Sequence, residues 1–350
     1  MKLRYKSAFA LALAAALLAG CAPQSVTDGA APLAAVQAAQ SAPPTASQAA
    51  PPKAAAAAKD TNHLSGADLS QEAAALSQSP AAQPVLLLPQ ASGQLVKKNG
   101  KAIIDYSNAK DGYVMMKFTA PTAKRLKARV AGPATTYTYN LTPGQWETFP
   151  LSDGNGSYTF TIYENIQGTK YSTALSHTAA VTLTDQFAPF LRPNQYVEYS
   201  SAPQMVAKAA ELTANCAAPL DKVDAVYRYV VNTLSYDYQL AVTVQSGYLP
   251  VLDKVLANKT GICFDYAALM TGMLRSQGIP CKLVVGYAGT AYHAWISVWT
   301  EQTGWIDGAI FFDGQSWHRM DPTFDSTGKG TDYIRNYIAN DANYSAKYFY

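Results

Sequence analysis

Three residues in this chain have the types and the order that nucleophilic acyl chemistry needs: Cys263, His293 and Asp321. A thiolate attacks carbonyl carbon, an imidazole moves a proton near neutral pH, and a carboxylate can hold that imidazole in one tautomer. His293 follows Cys263 by 30 residues and Asp321 follows His293 by 28, separations that suit strand and hairpin connections. Each residue alone has a plainer account, since a cysteine at a helix start is commonly a packed small hydrophobe and a strand histidine is commonly satisfied in the core. A zinc site is the rival reading, because Cys263, Cys281, His293 and His318 include suitable ligands, but no C-x-x-C or H-x-x-x-H spacing supports it. No metal and no cofactor is expected.

Elements that would position these groups follow from the local pattern. Cys263 lies in Thr260-Gly261-Ile262-Cys263-Phe264-Asp265-Tyr266, a turn signal running into helical spacing that lasts to Arg275. Gly278 suits the residue just past the helix, and Pro280 ends the element. The cysteine is therefore expected at a helix N-terminus, where the dipole favours a thiolate and free N–H groups can bind an oxyanion. Strands are expected at 281–287 and 293–299, with His293, Trp295, Ser297 and Trp299 alternating onto one face, Trp295 as a floor of the cleft. Further strands at 305–312 and 316–320 would end at Asp321, with Pro322 stopping the last and His318 in a supporting or exposed role. Upstream, helices are expected at 203–214, from Asp221 with Val223, Val226, Tyr227, Val230 and Val231 as its apolar face, and at 251–257.

Gly-x-Cys at a helix start, a strand ending in Gly286-Tyr287, the His293-Ala294-Trp295 strand and the terminal Asp321-Pro322-Thr323 resemble the transglutaminase-like superfamily over about 202–324. That family includes protein cross-linking transglutaminases, peptide N-glycanases and predicted bacterial proteases. The resemblance implies a papain-like α+β arrangement with Cys263 as nucleophile, His293 as proton carrier and Asp321 as its orienting group. It also implies a second oxyanion donor upstream of the nucleophile, beside the Cys263 N–H, for which Tyr236, Tyr238 and Gln245 are candidates.

Before this region the composition changes twice. Lys2, Arg4 and Lys6 precede the apolar run 8–18, which reads as a secretion signal over 1–20 and is too short to span a bilayer. Leu18-Ala19-Gly20-Cys21 resembles a bacterial lipobox, which implies lipidation at Cys21 and an envelope location. Residues 21–84 are rich in Ala, Pro, Gln and Ser and read as a disordered tether, His63 included. Short β-rich runs between turn signals at 85–185 suggest a small all-β sandwich, read as a binding or spacer module, and 186–350 would be the transglutaminase-like domain. The formal charge is +3, and the leader supplies three positive charges, so the remainder has no electrostatic reason to seek nucleic acid. With Cys21 acylated, three cysteines remain in an exported chain; Cys216 and Cys281 could pair and leave Cys263 free. The function expected is a cell-envelope thiol hydrolase of protein or wall-peptide amides. An amine-transferring cross-linker and a catalytically idle surface binding protein are the alternatives.

Overall fold

The computed structural model describes residues 85–307, 311–312, 317–318, 321–328, 336, 338 and 340–350. The expected leader, Cys21 and the tether at 21–84 lie outside these residues.

The first part is all β. Its strands are β1 (Val96–Lys98), β2 (Ala102–Asp105), β3 (Tyr113–Phe118), β4 (Leu126–Ala131), β5 (Thr136–Leu141), β6 (Glu147–Pro150), β7 (Gly156–Gln167) and β8 (Lys170–Val181). They form two four-stranded antiparallel sheets, ordered β1-β2-β3-β6 and β5-β4-β7-β8. Alternation builds the filling between them. Val114, Met116 and Phe118 of β3 are buried, as are Tyr158, Phe160 and Ile162 of β7. In β8, Tyr171, Leu175 and Val181 are buried while most residues between them are small or polar and exposed.

The second part begins with α1 (Pro203–Thr213), α2 (Pro219–Thr233), β9 (Ser235–Tyr236), α3 (Tyr238–Thr243), α4 (Leu252–Asn258) and β10 (Thr260–Gly261). Asp221 caps α2, but from within its first turn, where it accepts the N–H of Ala218 at 3.2 Å, and the helix begins two residues earlier at Pro219. Helix α5 (Cys263–Ser276) is buried along its whole length, packed by α1, α2 and α4 on one side and by strands on the other. A helix surrounded in this way has no exposed polar face, and its charged residues, Asp265 and Arg275, are confined to its two ends. The strands are β11 (Cys281–Ala288), β12 (Ala291–Thr300), β13 (Gly304–Asp307) and β16 (Tyr344–Phe349), in antiparallel order β13-β12-β11-β16. A small hairpin, β14 (Phe311–Phe312) with β15 (Trp317–His318), and α6 (Pro322–Gly328) complete the described elements. The fold is thus the expected α+β core preceded by a β-sheet region. The expected Cys216–Cys281 disulfide is absent, and all three described cysteines are free. Cys216 Sγ faces Leu212 O at the end of α1, while Cys281 Sγ faces Thr271 Oγ1 inside the α5–β11 layer.

One hydrophobic core runs through both parts. Tyrosines make the junction: Tyr196 stacks on Tyr350 at 4.1 Å, and Tyr139 of β5 meets Tyr350, Tyr196 and Phe149 edge-on. The Tyr139 hydroxyl is buried and, among the described residues, has no hydrogen-bond partner. A buried hydroxyl left unpaired costs about 1–3 kcal/mol. Tyr139→Phe is therefore expected to raise unfolding stability by about 1 kcal/mol in a denaturant titration; a loss of that size would show that the hydroxyl is satisfied.

Candidate active site

Cys263 is the first residue of α5, after an extended Ile262. The approach to it is fixed by a two-residue parallel bridge in which β10 pairs with β9, setting Gly261 opposite Tyr236. Gly261 is required by packing: a Cβ there would lie 2.5 Å from Cβ of Asp265. Asp265 in turn reaches back to accept the N–H of Ile262 at 2.8 Å, a first-turn carboxylate capping its own helix.

His293 comes from β12, where it stands opposite Gly286 of β11. Gly286 is the second obligatory glycine: a Cβ would come within 2.1 Å of Ser345 O and 2.9 Å of the Trp295 ring. The missing side chain lets β16 approach and lets Trp295 lie flat across the sheet, beside His293 at 6.2 Å between ring centroids. Phe324 stacks on the imidazole at 4.8 Å and 13°. One imidazole nitrogen, Nε2, is hydrogen-bonded to Asp321 Oδ2, and Cys263 is the ring's other side-chain partner.

Asp321 is held from four directions. Its Oδ1 accepts the N–H groups of Thr323 and Phe324, both at 3.1 Å, and its Oδ2 accepts from His293 and from the Tyr344 hydroxyl at 3.2 Å. The carboxylate is thus the cap of α6, with Pro322 in the first helical position, and not the last residue of a strand as the sequence pattern suggested. Asp-Pro is a helix-start signal that could have shown this. Tyr344, in a strand with no sequence warning, is the group missed altogether.

The three groups are out of water, at 1% exposure for Cys263, 5% for His293 and 0% for Asp321. Burial by itself pulls the imidazole pKa down. Asp321, by its charge and hydrogen bond, and then Cys263 reverse this, and the pKa is pushed up to about 10. The resting histidine at neutral pH is an imidazolium between a carboxylate and a sulfur.

Of the three upstream candidates, only Tyr236 is brought to the thiol. Burial, reinforced by the charges of Cys263 and Asp321, pushes its phenol well above the usual range, which keeps the hydroxyl a donor. Tyr238 is 60% exposed and packs edge-on against Tyr236 at 5.0 Å. Gln245 turns away, donating to Thr243 O at 2.7 Å. The side chain of His318 lies outside the described residues. A cavity of about 30 Å³ has Phe264, the residue after Cys263, with Tyr292, Tyr248 and Tyr196 among its walls; Cys263, His293 and Asp321 do not line it. Among the described residues, no three His, Cys, Asp or Glu side chains converge as a metal site would require.

Comparison with known proteins finds similarity in the same region of the chain. Residues 206–322 match the family model of the Transglutaminase-like superfamily, so this part of the chain carries a transglutaminase-like domain. A protein of Mycobacterium tuberculosis, named only as uncharacterized, is 28% identical over 156 residues, 37% of this chain and 46% of that one. The chain therefore spans about half the length of such relatives. A protein-glutamine gamma-glutamyltransferase of Pseudomonas aeruginosa is 29% identical over 119 residues, 30% of this chain and 17% of that one. Among solved structures, the periplasmic domain of TgpA from Pseudomonas aeruginosa is similar at a TM-score of 0.31 and 20% identity, covering 71% of this chain and 79% of that one.

Replacing the charge that sustains the imidazolium has a defined consequence. In Asp321→Asn, burial acts on His293 unopposed by its strongest partner, so its pKa falls from about 10. The alkaline limb of acylation should move to lower pH, with a rate loss on the order of 10–1000-fold, set against about 10⁴ for the same change in serine triads. Single-turnover acylation across pH measures both. Unchanged rate and profile in a folded variant would remove Asp321 from the site.

Proposed function

We propose that this protein is a cell-envelope thiol hydrolase that cleaves amide bonds of proteins or wall peptides through a thioester on Cys263. The observation that carries the reading is the buried, hydrogen-bonded run from Cys263 through His293 to Asp321. His293 takes the Cys263 proton, and Sγ attacks the carbonyl carbon. The developing oxyanion would meet the Cys263 N–H, which as the first of its helix has no intrahelical acceptor, and the Tyr236 hydroxyl. As the C–N bond breaks, His293 gives its proton to the leaving amine. Water, deprotonated by the same imidazole, then cleaves the C–S bond to release the acid and restore the thiol. Asp321 stays ionised throughout and holds the ring.

A second reading replaces that water with an amine, which would make the protein a cross-linking transferase. The gamma-glutamyltransferase relative is the observation that favours it. Both readings share every step up to the thioester. The leader pattern and Cys21 support an envelope location by lipid anchorage, and among the described residues no helix is long and apolar enough to cross a membrane.

The test is acylation by an activated peptide ester followed by mass spectrometry. A single acyl adduct on Cys263 is expected in wild type and none in Cys263→Ala; an adduct elsewhere, or none, overturns the reading. Adding a primary amine then separates the two outcomes, since hydrolysis predicts a turnover rate independent of amine and transfer predicts an amide product. For the anchor, Cys21→Ala is expected to move the protein from the membrane to the soluble fraction, and unchanged fractionation with an unchanged mature mass would exclude lipidation there.

A further inference from the structure

Asp265 touches none of the three catalytic groups, yet it is fully buried two residues beyond the nucleophile. Both carboxylate oxygens are engaged. Oδ2 accepts the Ile262 N–H at 2.8 Å, and Oδ1 accepts the Tyr248 hydroxyl at 2.6 Å. Gly261 presses against its Cβ, so the side chain has no room to swing. Among the described residues its hydrogen-bond donors are both neutral, and the charged group that acts on it, Asp237 at the start of α3, is of like sign. An ionised carboxylate in these surroundings is a cost to the fold that an amide would avoid.

What this costly group holds is the chemistry. Ile262 is the hinge between β10 and α5, and its fixed conformation sets the direction of the next peptide, which carries the Cys263 N–H. Tyr248 comes from the loop between α3 and α4, and with Gly247, Leu249, Tyr292 and Phe264, the residue after Cys263, it walls a cavity. We propose that Asp265 is a positioning residue that aims the Cys263 N–H at the reacting carbonyl oxygen and, through Tyr248, ties the cavity wall to that helix end. The proposal rests on Cys263 being the nucleophile.

Two reactions of the same sulfur separate this role from a structural one. Alkylation by iodoacetamide needs the sulfur but no oxyanion donor, whereas acylation by an activated ester needs both. The full chain carrying Asp265→Asn is expected to lose about 10- to 100-fold in single-turnover acylation, as small misplacements of reacting groups do. Its alkylation rate should hold or rise, because a negative charge near the sulfur is gone. Burial pushes the Asp265 carboxyl up to about 6, while its two hydrogen bonds pull it down and Asp237 raises it. A raised carboxyl loses stability as pH rises from about 4 through about 6, so Asp265→Asn should melt at or above wild type at pH 8, with the advantage shrinking below pH 6. Tyr248→Phe keeps the cap and should raise KM for the ester about fivefold with little change in kcat.

Equal losses of acylation and alkylation together with a lowered melting temperature in Asp265→Asn would reduce the residue to a helix cap. Full acylation in that variant would overturn the proposal directly. If Asp265→Asn does not fold, an unchanged KM in Tyr248→Phe overturns it instead. Failure of the wild type to acylate while Cys263 still alkylates identifies the nucleophile reading as the fault, and the proposal falls with it.

Discussion

The catalytic layer depends on keeping one imidazolium–carboxylate pair out of water. Each charge alone would be driven neutral by burial, and removing one partner of a buried pair leaves the other uncompensated. Asp321 is viable at 0% exposure because four donors meet it, from His293, Tyr344 and the first turn of α6. Those donors come from β12, β16 and α6, so the pair exists only when all three elements are in place. Phe324 covers the ring on one face and Trp295 lies beside it, which keeps the local dielectric low and the attraction strong. Folding of the C-terminal strand and formation of the site are therefore one event.

The nucleophile is held by a different principle, the close approach of backbone. Gly261 and Gly286 stand where any Cβ would strike a neighbour, one against Asp265 and the other against β16. The first brings β10 onto the N-terminus of α5, and the second lets the His293 strand and its partners lie flat. At the other end of α5, Arg275 spreads its guanidinium over the carbonyls of Cys281, Arg192 and Tyr350. The helix is thus fixed at both ends by ionisable side chains bonded largely to backbone groups, an arrangement that fixes direction more than it adds stability.

How much of this is legible in the sequence depends on the range of each interaction. The start of α5 at Cys263, its end before Gly278 and strands β11 and β12 follow from local periodicity and punctuation, and the structure has them within a few residues. The strand β16 is not legible, because Tyr344–Phe349 has no period-two pattern: Ser345, Ala346 and Lys347 are all exposed between half-buried aromatics, and no residue is β-branched. Its assignment comes from pairing with β11, more than fifty residues earlier. Asp321 was found by type and order, but its local geometry was misread as a strand end, since an Asp-Pro pair serves both purposes. Asp265 was passed over because a carboxylate in the first turn of a helix is ordinary; only its burial and the hydroxyl of Tyr248 distinguish it.

The β region gains a different meaning from the same packing. Read from sequence it is a binding or spacer module, yet its core is continuous with that of the catalytic layer. Tyr139 and Phe149 pack edge-on in the cluster where Tyr196 also approaches Phe264 at 5.5 Å, and Phe264 is the residue after the nucleophile. Asn140 of β5 reaches the wall of the cavity, so close to the loop of Tyr248 that a Cβ on Gly247 would lie 2.9 Å from its amide nitrogen. Glu147 and Gln195 bond across the same seam, and Gln195 also donates to Asn140 O at 2.9 Å. A tethered spacer would need none of these contacts. Interiors are close-packed, so a side chain at such a seam is constrained from both sides at once. Asn140 of β5 is held in this way, in the wall of a cavity that Phe264 also lines and at the edge of a core that the two parts share.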